Sequence, residues 1–209
     1  MRKAWIGAGA AAGAALLGGA MLYYLYERAT EEPDYRTLRT DGAFQIREYP
    51  EMTIAETVVH GPRKQALGEG FRRLADYIFA KSRPGEALAM TVPVTQHSDD
   101  PMASDPPLFD DAVEGGWRTR FVMPGGRGVD ELPAPPPEIE LVAVPPRKVA
   151  VVSFAGRPDD RDLAEQEDRL RGWLARHGER SEAEPEFAFY NSPVIPGPLR
   201  RNEVWLALN

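Results

Sequence analysis

Met90-Thr-Val-Pro-Val94 and Tyr190-Asn-Ser-Pro-Val194 stand one hundred residues apart, and reading them as a pair decides the fold. Each follows a stretch with helical spacing and sits at the end of a run of strand formers. Upstream of the first, Leu67, Phe71, Leu74 and Ile78 recur at the 4-3-4 spacing of a one-faced helix, which predicts a helix from about Pro62 to Ala80. Pro62 falls near the first helical position, where a missing N–H costs nothing. Upstream of the second, Leu163, Leu170 and Leu174 mark a helix over Asp159 to His177.

Strand signals flank both helices. Phe44–Tyr49 alternates and Met52–Val59 is rich in β-branched residues, with Pro50 as the turn between them. Further strands are expected near Ala87–Gln96, Trp117–Met123, Ile139–Val144, Lys148–Phe154, Phe187–Asn191 and Glu203–Leu208, with Asp99 to Gly116 as a long loop. The chain therefore reads as a duplicated ββαββ unit of the α+β class. Such a unit sets two main helices against one face of a curved antiparallel sheet, or of a sheet curled into a distorted barrel.

Ahead of this domain, Ala4 to Tyr26 contain no charge and as a helix would span roughly 34 Å, enough to cross a bilayer. Arg2 and Lys3 precede the run, and Tyr23, Tyr24 and Tyr26 close it as an interfacial belt. The run is longer than the apolar part of a signal peptide and has no clear small-residue cleavage site, so residues 1–26 read as an uncleaved signal anchor, a transmembrane helix. The expected organisation is the anchor, a linker over 27–34 and one domain over 35–209. Positive charge at the N-terminus places the domain outside the cytoplasm, as a single-pass protein of a bacterial inner membrane facing the periplasm. Gly9, Gly13, Ala14 and Gly18 would let two such helices pack closely, although composition alone produces this pattern too.

Beyond Tyr26 the chain holds 23 basic residues against all 32 acidic ones, a net charge of −9. So acidic a domain does not suit nucleic acid, which needs a basic footprint, nor would anionic lipid attract it. The absence of cysteine excludes disulfides, thiolate metal sites, iron–sulfur clusters and cysteine nucleophiles. His60, His97 and His177 stand in no metal-ligand spacing, and no nucleophile elbow, phosphate-cradling loop or zinc-protease motif occurs. Asp110, Asp111 and Glu114 lack the alternation of a calcium loop. No catalytic residue and no metal site is expected.

At Met90-Thr-Val-Pro-Val94, Pro135-Pro-Pro137, Tyr190-Asn-Ser-Pro-Val194 and Arg200-Arg-Asn-Glu-Val-Trp-Leu206 the chain resembles the SOUL haem-binding protein family. Phe44–Tyr49 and the Gly70-Phe71, Leu74, Tyr77-Ile78 pattern fit as well, so the similarity runs from about Tyr35 to the C-terminus. The resemblance implies binding of haem or another tetrapyrrole, without enzymatic turnover as a general property. Some relatives place a proposed axial histidine just before the tyrosine of the first strand; here that position is Glu48. Others hold haem in an apolar groove on the first helix with basic side chains, one of which falls at Gly68 here.

The expected site follows from that resemblance: a porphyrin over Leu67, Phe71 and Ala75, its propionates paired with Arg63, Lys64, Arg72 or Arg73. Helical periodicity also reads Leu67 and Phe71 as core and the arginines as a solvated face. Met90 and Met123 read as soft ligands or as gap-fillers, and Asn191, Asn202 and Glu203 as strand-end polar groups. The leading function is a membrane-anchored, non-catalytic haem or tetrapyrrole carrier, buffer or sensor. An interaction module with a lost pocket, binding an unspecified protein partner, is one alternative. An enzyme on the same fold is another, with Glu48, Glu56 and Glu203 as its candidate carboxylates.

Overall fold

The computed structural model of the protein describes residues 30–98 and 116–208. The hydrophobic run over 4–26, the linker as far as 29, and Asp110, Asp111 and Glu114 lie outside the described residues. Among the described residues no helix is long and apolar enough to cross a membrane.

The elements in chain order are β1 (Arg36–Asp41), β2 (Phe44–Tyr49), β3 (Met52–His60), α1 (Arg63–Ile78), β4 (Val94–Ser98), β5 (Gly116–Val122), β6 (Glu140–Val144), β7 (Arg147–Ala155), α2 (Asp160–Arg176), β8 (Glu186–Phe189) and β9 (Arg201–Leu208). All nine strands join one antiparallel sheet in the order β1-β2-β7-β9-β8-β4-β5-β3-β6. Setting β1 aside, that order is palindromic about the β4–β8 seam, where Val94 lies opposite Phe189 and Gln96 opposite Phe187. The two halves exchange their first strands, β2 pairing with β7 of the second half and β6 with β3 of the first.

The duplication thus lies in the order of elements, and the paired motifs need correcting. Met90–Val94 leads into β4, whereas Tyr190–Val194 leaves β8, so the two are not equivalent positions. Proline supplies no N–H to a ladder and therefore marks strand ends of either kind. The same effect shortens the strand expected over Ala87–Gln96 to one starting at Val94, just after Pro93. β1 was not anticipated: every one of its residues is exposed, so it shows no apolar alternation, and only its ladder with β2 defines it.

Both helices pack on one face of the sheet, α1 on β3 and β5, α2 on β7 and β9. Beneath α1, Leu74, Tyr77 and Ile78 meet Ala55 and Phe121. Beneath α2, Leu163, Leu170, Trp173 and Leu174 meet Ala150, Val152, Val204 and Leu206. Each leucine, isoleucine, valine or phenylalanine among them, fully buried, contributes about 1.5–3 kcal/mol of apolar transfer. Asp159 caps α2 by accepting from Asp162 N at 2.9 Å while Asp162 accepts from Asp159 N at 3.0 Å. At Gly70 α1 comes so close to β5 that a Cβ would lie 2.5 Å from Thr119 Oγ1.

The opposite face carries no helix. Its apolar cluster is Tyr49, Val149, Val151, Ala188, Tyr190 and Trp205. Charged side chains alternate with it along the same strands, and that face holds most of the buried chemistry.

Candidate functional site

On α1 the exposed side follows from the helical period. Lys64, Gly68, Phe71, Ala75 and the C-capping Phe79 recur every three or four residues and so lie in one stripe. Phe71 is 39% exposed and Phe79 44%, while Leu67 flanks the stripe half-buried. The ring of Phe71 meets Phe121 edge-on at 5.3 Å. Phe71 is therefore neither core nor free: its underside is seated on the sheet and its upper side faces solvent. A Cβ at Gly68 would meet nothing within 4 Å, so the stripe is shallow and open there.

The four basic residues expected to flank this stripe are not equivalent. Arg63 is drawn inward, bonded to Asp160 of α2 and 3.4 Å from Gln96 Oε1. Arg72 donates to Glu69 at 2.7 and 3.0 Å and to Asp76 at 3.3 Å. Arg73 donates to Glu69 at 2.9 Å and to the Val58 carbonyl at 3.4 Å. Hydrogen bonds from Arg72 and Arg73 hold the Glu69 carboxyl at about 2. Lys64 is exposed and, among the described residues, forms no ion pair. It is the cation ready for an anionic edge.

On the helix-free face a second constellation surrounds Glu203 of β9. This carboxylate is closed to solvent and accepts from Arg47 Nη1 and Nη2 at 2.9 and 3.0 Å, Ser153 Oγ at 2.9 Å, and Arg201 Nε at 3.1 Å. The Tyr190 hydroxyl and Trp205 Nε1 each donate to it at 2.7 Å. Burial pushes the Glu203 carboxyl up, but the bonds and charge of Arg47, with Arg201 and Tyr190, outweigh it and hold the group at about 2. Burial drives the phenols the other way: Tyr49 is pushed up to about 12, and Tyr190 well above its ordinary value. Asn191 Oδ1 accepts from Arg201 N at 2.8 Å, and Asn202 Nδ2 donates to the Gly156 carbonyl at 3.2 Å. The Tyr190–Val194 and Arg200–Leu206 motifs therefore interlock around one buried carboxylate.

Farther along this face Glu56 is bonded by Arg118 and, at 2.8 Å, by Arg120 Nε. Arg147 forks onto Glu186, and Arg120 Nη1 approaches Glu186 at 3.9 Å. His97 stands among these charges; burial, with Arg120 and Arg118, lowers it to about 4, so it is neutral at pH 7. Burial raises the Glu186 carboxyl, but Arg147 and Arg120 pull it below its ordinary value. Glu48 stays outside this interior, half-buried and paired with Arg36 at 2.5 Å.

Among the described residues no three His, Asp or Glu side chains are grouped to hold a metal ion. His60 is exposed at the end of β3, and His177 Nδ1 lies 2.9 Å from the Trp173 carbonyl. Met123 is buried in the α1 core and Met90 packs against it. A cleft of about 630 Å³ opens between residues 86–89 and 124–133, with Glu31 on its rim, and takes in none of the residues singled out from the sequence.

The sequence profile described as SOUL heme-binding protein matches residues 30–207. No curated protein matches the chain. Among solved structures, the EcmrR C-terminal domain is similar at 14% identity and a TM-score of 0.54, over 84% of this chain and 98% of that one. EcmrR in its DNA complex is similar at 12% identity and a TM-score of 0.58, over 100% of this chain and 70% of that one. A hydrolase encoded by lin2189 from Listeria innocua is similar at 11% identity and a TM-score of 0.57, over 82% of this chain and 94% of that one. Identities this low establish a shared fold alone.

Proposed function

The chain belongs to the SOUL heme-binding protein family, and from that premise we propose that it binds haem or a related tetrapyrrole over α1, without turnover, while tethered to a membrane. The single observation that carries the reading is the stripe itself. Phe71 and Phe79 are exposed, Gly68 leaves room between turns, and Lys64, at one end, forms no ion pair among the described residues. A planar apolar macrocycle with carboxylates at one edge fits this arrangement. Burying the two exposed rings would gain a few kcal/mol, on the order of 25 cal/mol per Å² of apolar surface. One propionate would meet Lys64; Arg72 and Arg73 would first have to release Glu69.

No histidine or methionine occurs on α1. Its residues would therefore hold a macrocycle by stacking on Phe71 and Phe79 and by charge pairing through Lys64. When bound, the macrocycle would bring its own redox chemistry; α1 orients it and shields one face from water. The non-catalytic part of the reading draws support from the carboxylates. Glu203 has its lone pairs committed to donors and is held ionised, so it is poorly placed to act as a base.

The tether is proposed from Ala4–Tyr26, and the domain begins close behind it. Val92 N donates to the Glu31 carbonyl at 2.9 Å, Gly125 N donates to Glu31 Oε1 at 3.0 Å, and Arg201 pairs with Glu32 at 2.9 Å. So short a connection would keep the bound ligand at the membrane surface, where it is received or handed over. Two measurements test this. Full-length protein should resist carbonate extraction and lose its domain to protease added to spheroplasts; recovery in the soluble fraction would overturn the tether. Micromolar hemin should quench tryptophan fluorescence, and an unchanged signal would overturn the ligand.

A further inference from the structure

Between β8 and β9 the chain runs through Pro193-Val-Ile-Pro-Gly-Pro-Leu-Arg200. This loop carries the two most exposed large apolar side chains among the described residues, Val194 at 70% and Leu199 at 46%. It is nonetheless fastened to the domain. Ile195, only 2% exposed, anchors it from within, and Gly156 N, in the turn between β7 and α2, donates to the Gly197 carbonyl at 3.1 Å. Pro193, Pro196 and Pro198 have no N–H to satisfy. The N–H groups of Ile195, Leu199 and Arg200 donate to the carbonyls of Ser192, Pro196 and Gly197 at 3.2, 2.9 and 3.0 Å. The Arg200 guanidinium folds back onto the Pro193 and Ile195 carbonyls. Much of the loop's backbone polarity is thus met from within the domain.

Exposed apolar side chains on a loop so paired suit a lipid interface, where an unpaired N–H or C=O is costly. The place of the loop in the chain points the same way. Its base is closed by Asn191 Oδ1, which accepts from Arg201 N at 2.8 Å, and Arg201 Nη1 pairs with Glu32 at 2.9 Å. Glu32 follows Tyr26, the end of the uncharged run, by six residues. Six residues reach no more than about 22 Å even when fully extended. We propose that the β8–β9 loop is a second membrane contact, with Val194 and Leu199 entering the boundary between headgroups and acyl chains of the bilayer that holds the N-terminal run. The contact is apolar in kind, because an acidic domain gains nothing from an anionic surface. It rests on the tether proposed above, and it fixes which side of the domain faces the lipid.

The chain has no cysteine, so Val194→Cys carries a single NBD fluorophore at the loop, and Asp168→Cys a single one on the exposed side of α2. Each full-length variant is placed in phosphatidylcholine nanodiscs, with and without lipid bearing a doxyl group near the headgroup end of its acyl chain. The label at Val194 should emit to the blue of the label at Asp168, and doxyl lipid should quench it several-fold more strongly. Leu199→Asp in the Val194→Cys chain should weaken that quenching several-fold with the circular dichroism spectrum unchanged. In protein that stays with the nanodiscs, equal quenching at both positions, or none at Val194, overturns the loop contact and leaves the tether standing. Blue-shifted emission at Val194 that doxyl lipid does not quench means that protein covers the loop, and overturns the contact as well. Protein that does not stay with the nanodiscs overturns the tether and the loop contact together.

Discussion

Arg47 of β2 and Glu203 of β9 form a bidentate ion pair across the intervening strand β7, with Nη–Oε distances of 2.9 and 3.0 Å and both side chains shut off from solvent. The guanidinium also lies 4.4 Å from the Tyr35 ring centre, and Arg201 carries the network outward to Glu32. The motif block Arg201-Asn-Glu-Val-Trp205 thus builds a structural hub.

Breaking that hub from one side strands a charge. Arg47→Met leaves the Glu203 carboxylate buried without its main partner and should cost about 3–5 kcal/mol. Removing both ends together, as Arg47→Met with Glu203→Leu, should recover much of the loss. Urea denaturation of the two single variants and the double one measures the coupling.

Acid should unfold the domain in two stages. His97 is held at about 4 against an ordinary 6.5, so the fold resists its protonation and stability falls as pH drops between those values. Glu203 is held at about 2 against an ordinary 4.5, so its contribution is complete above 4.5 and is lost as pH falls toward 2. Urea midpoints at pH 7.5, 5 and 3 should decline at each step, and His97→Gln should flatten the first decline alone.

What the sequence disclosed follows the same physics. Both helices carry apolar periodicity and eight of the nine strands could be read in advance, although the strand expected over Ala87–Gln96 starts only at Val94, after Pro93. β1 could not be read, because an edge strand exposed along its whole length has no buried face to impose a pattern. The Arg47–Glu203 hub was equally hidden: its partners are 156 residues apart, and only the strand exchange brings β2 beside β7. On α1 the period set Leu67, Phe71, Leu74 and Ile78 on one apolar face, and only the family resemblance suggested a ligand there; in the structure Phe71 stands 39% exposed on Phe121, and three of the four flanking cations are engaged already.

Close packing of α1 on β5 makes Gly70 intolerant. A Cβ 2.5 Å from Thr119 Oγ1 and 2.8 Å from Thr119 Cβ forces the helix outward. Gly70→Ala should destabilise by about 1–3 kcal/mol despite alanine's better helix propensity. Thr119→Ala in the same chain should relieve part of the penalty, as thermal melts would record.

Gly68, one turn before the Phe71 ring, answers differently. Gly68→Ala touches nothing within 4 Å and should stabilise α1 by up to about 1 kcal/mol. Gly68→Arg adds a second uncommitted cation to the stripe, and hemin affinity should rise several-fold, about 1 kcal/mol, in fluorescence titrations. Lys64→Glu should lower it by a similar factor while leaving the melting temperature unchanged.

The most direct test of the account is a Soret titration of the full-length protein in lipid nanodiscs, against empty nanodiscs, with wild-type and Phe71→Ala chains side by side. Tetrapyrrole binding over α1 predicts a shifted Soret band that saturates near one equivalent of hemin in the wild type, with affinity reduced about tenfold or more in Phe71→Ala. A band identical to that of empty nanodiscs would contradict ligand binding, and saturation unaffected by Phe71→Ala would place the ligand somewhere other than α1.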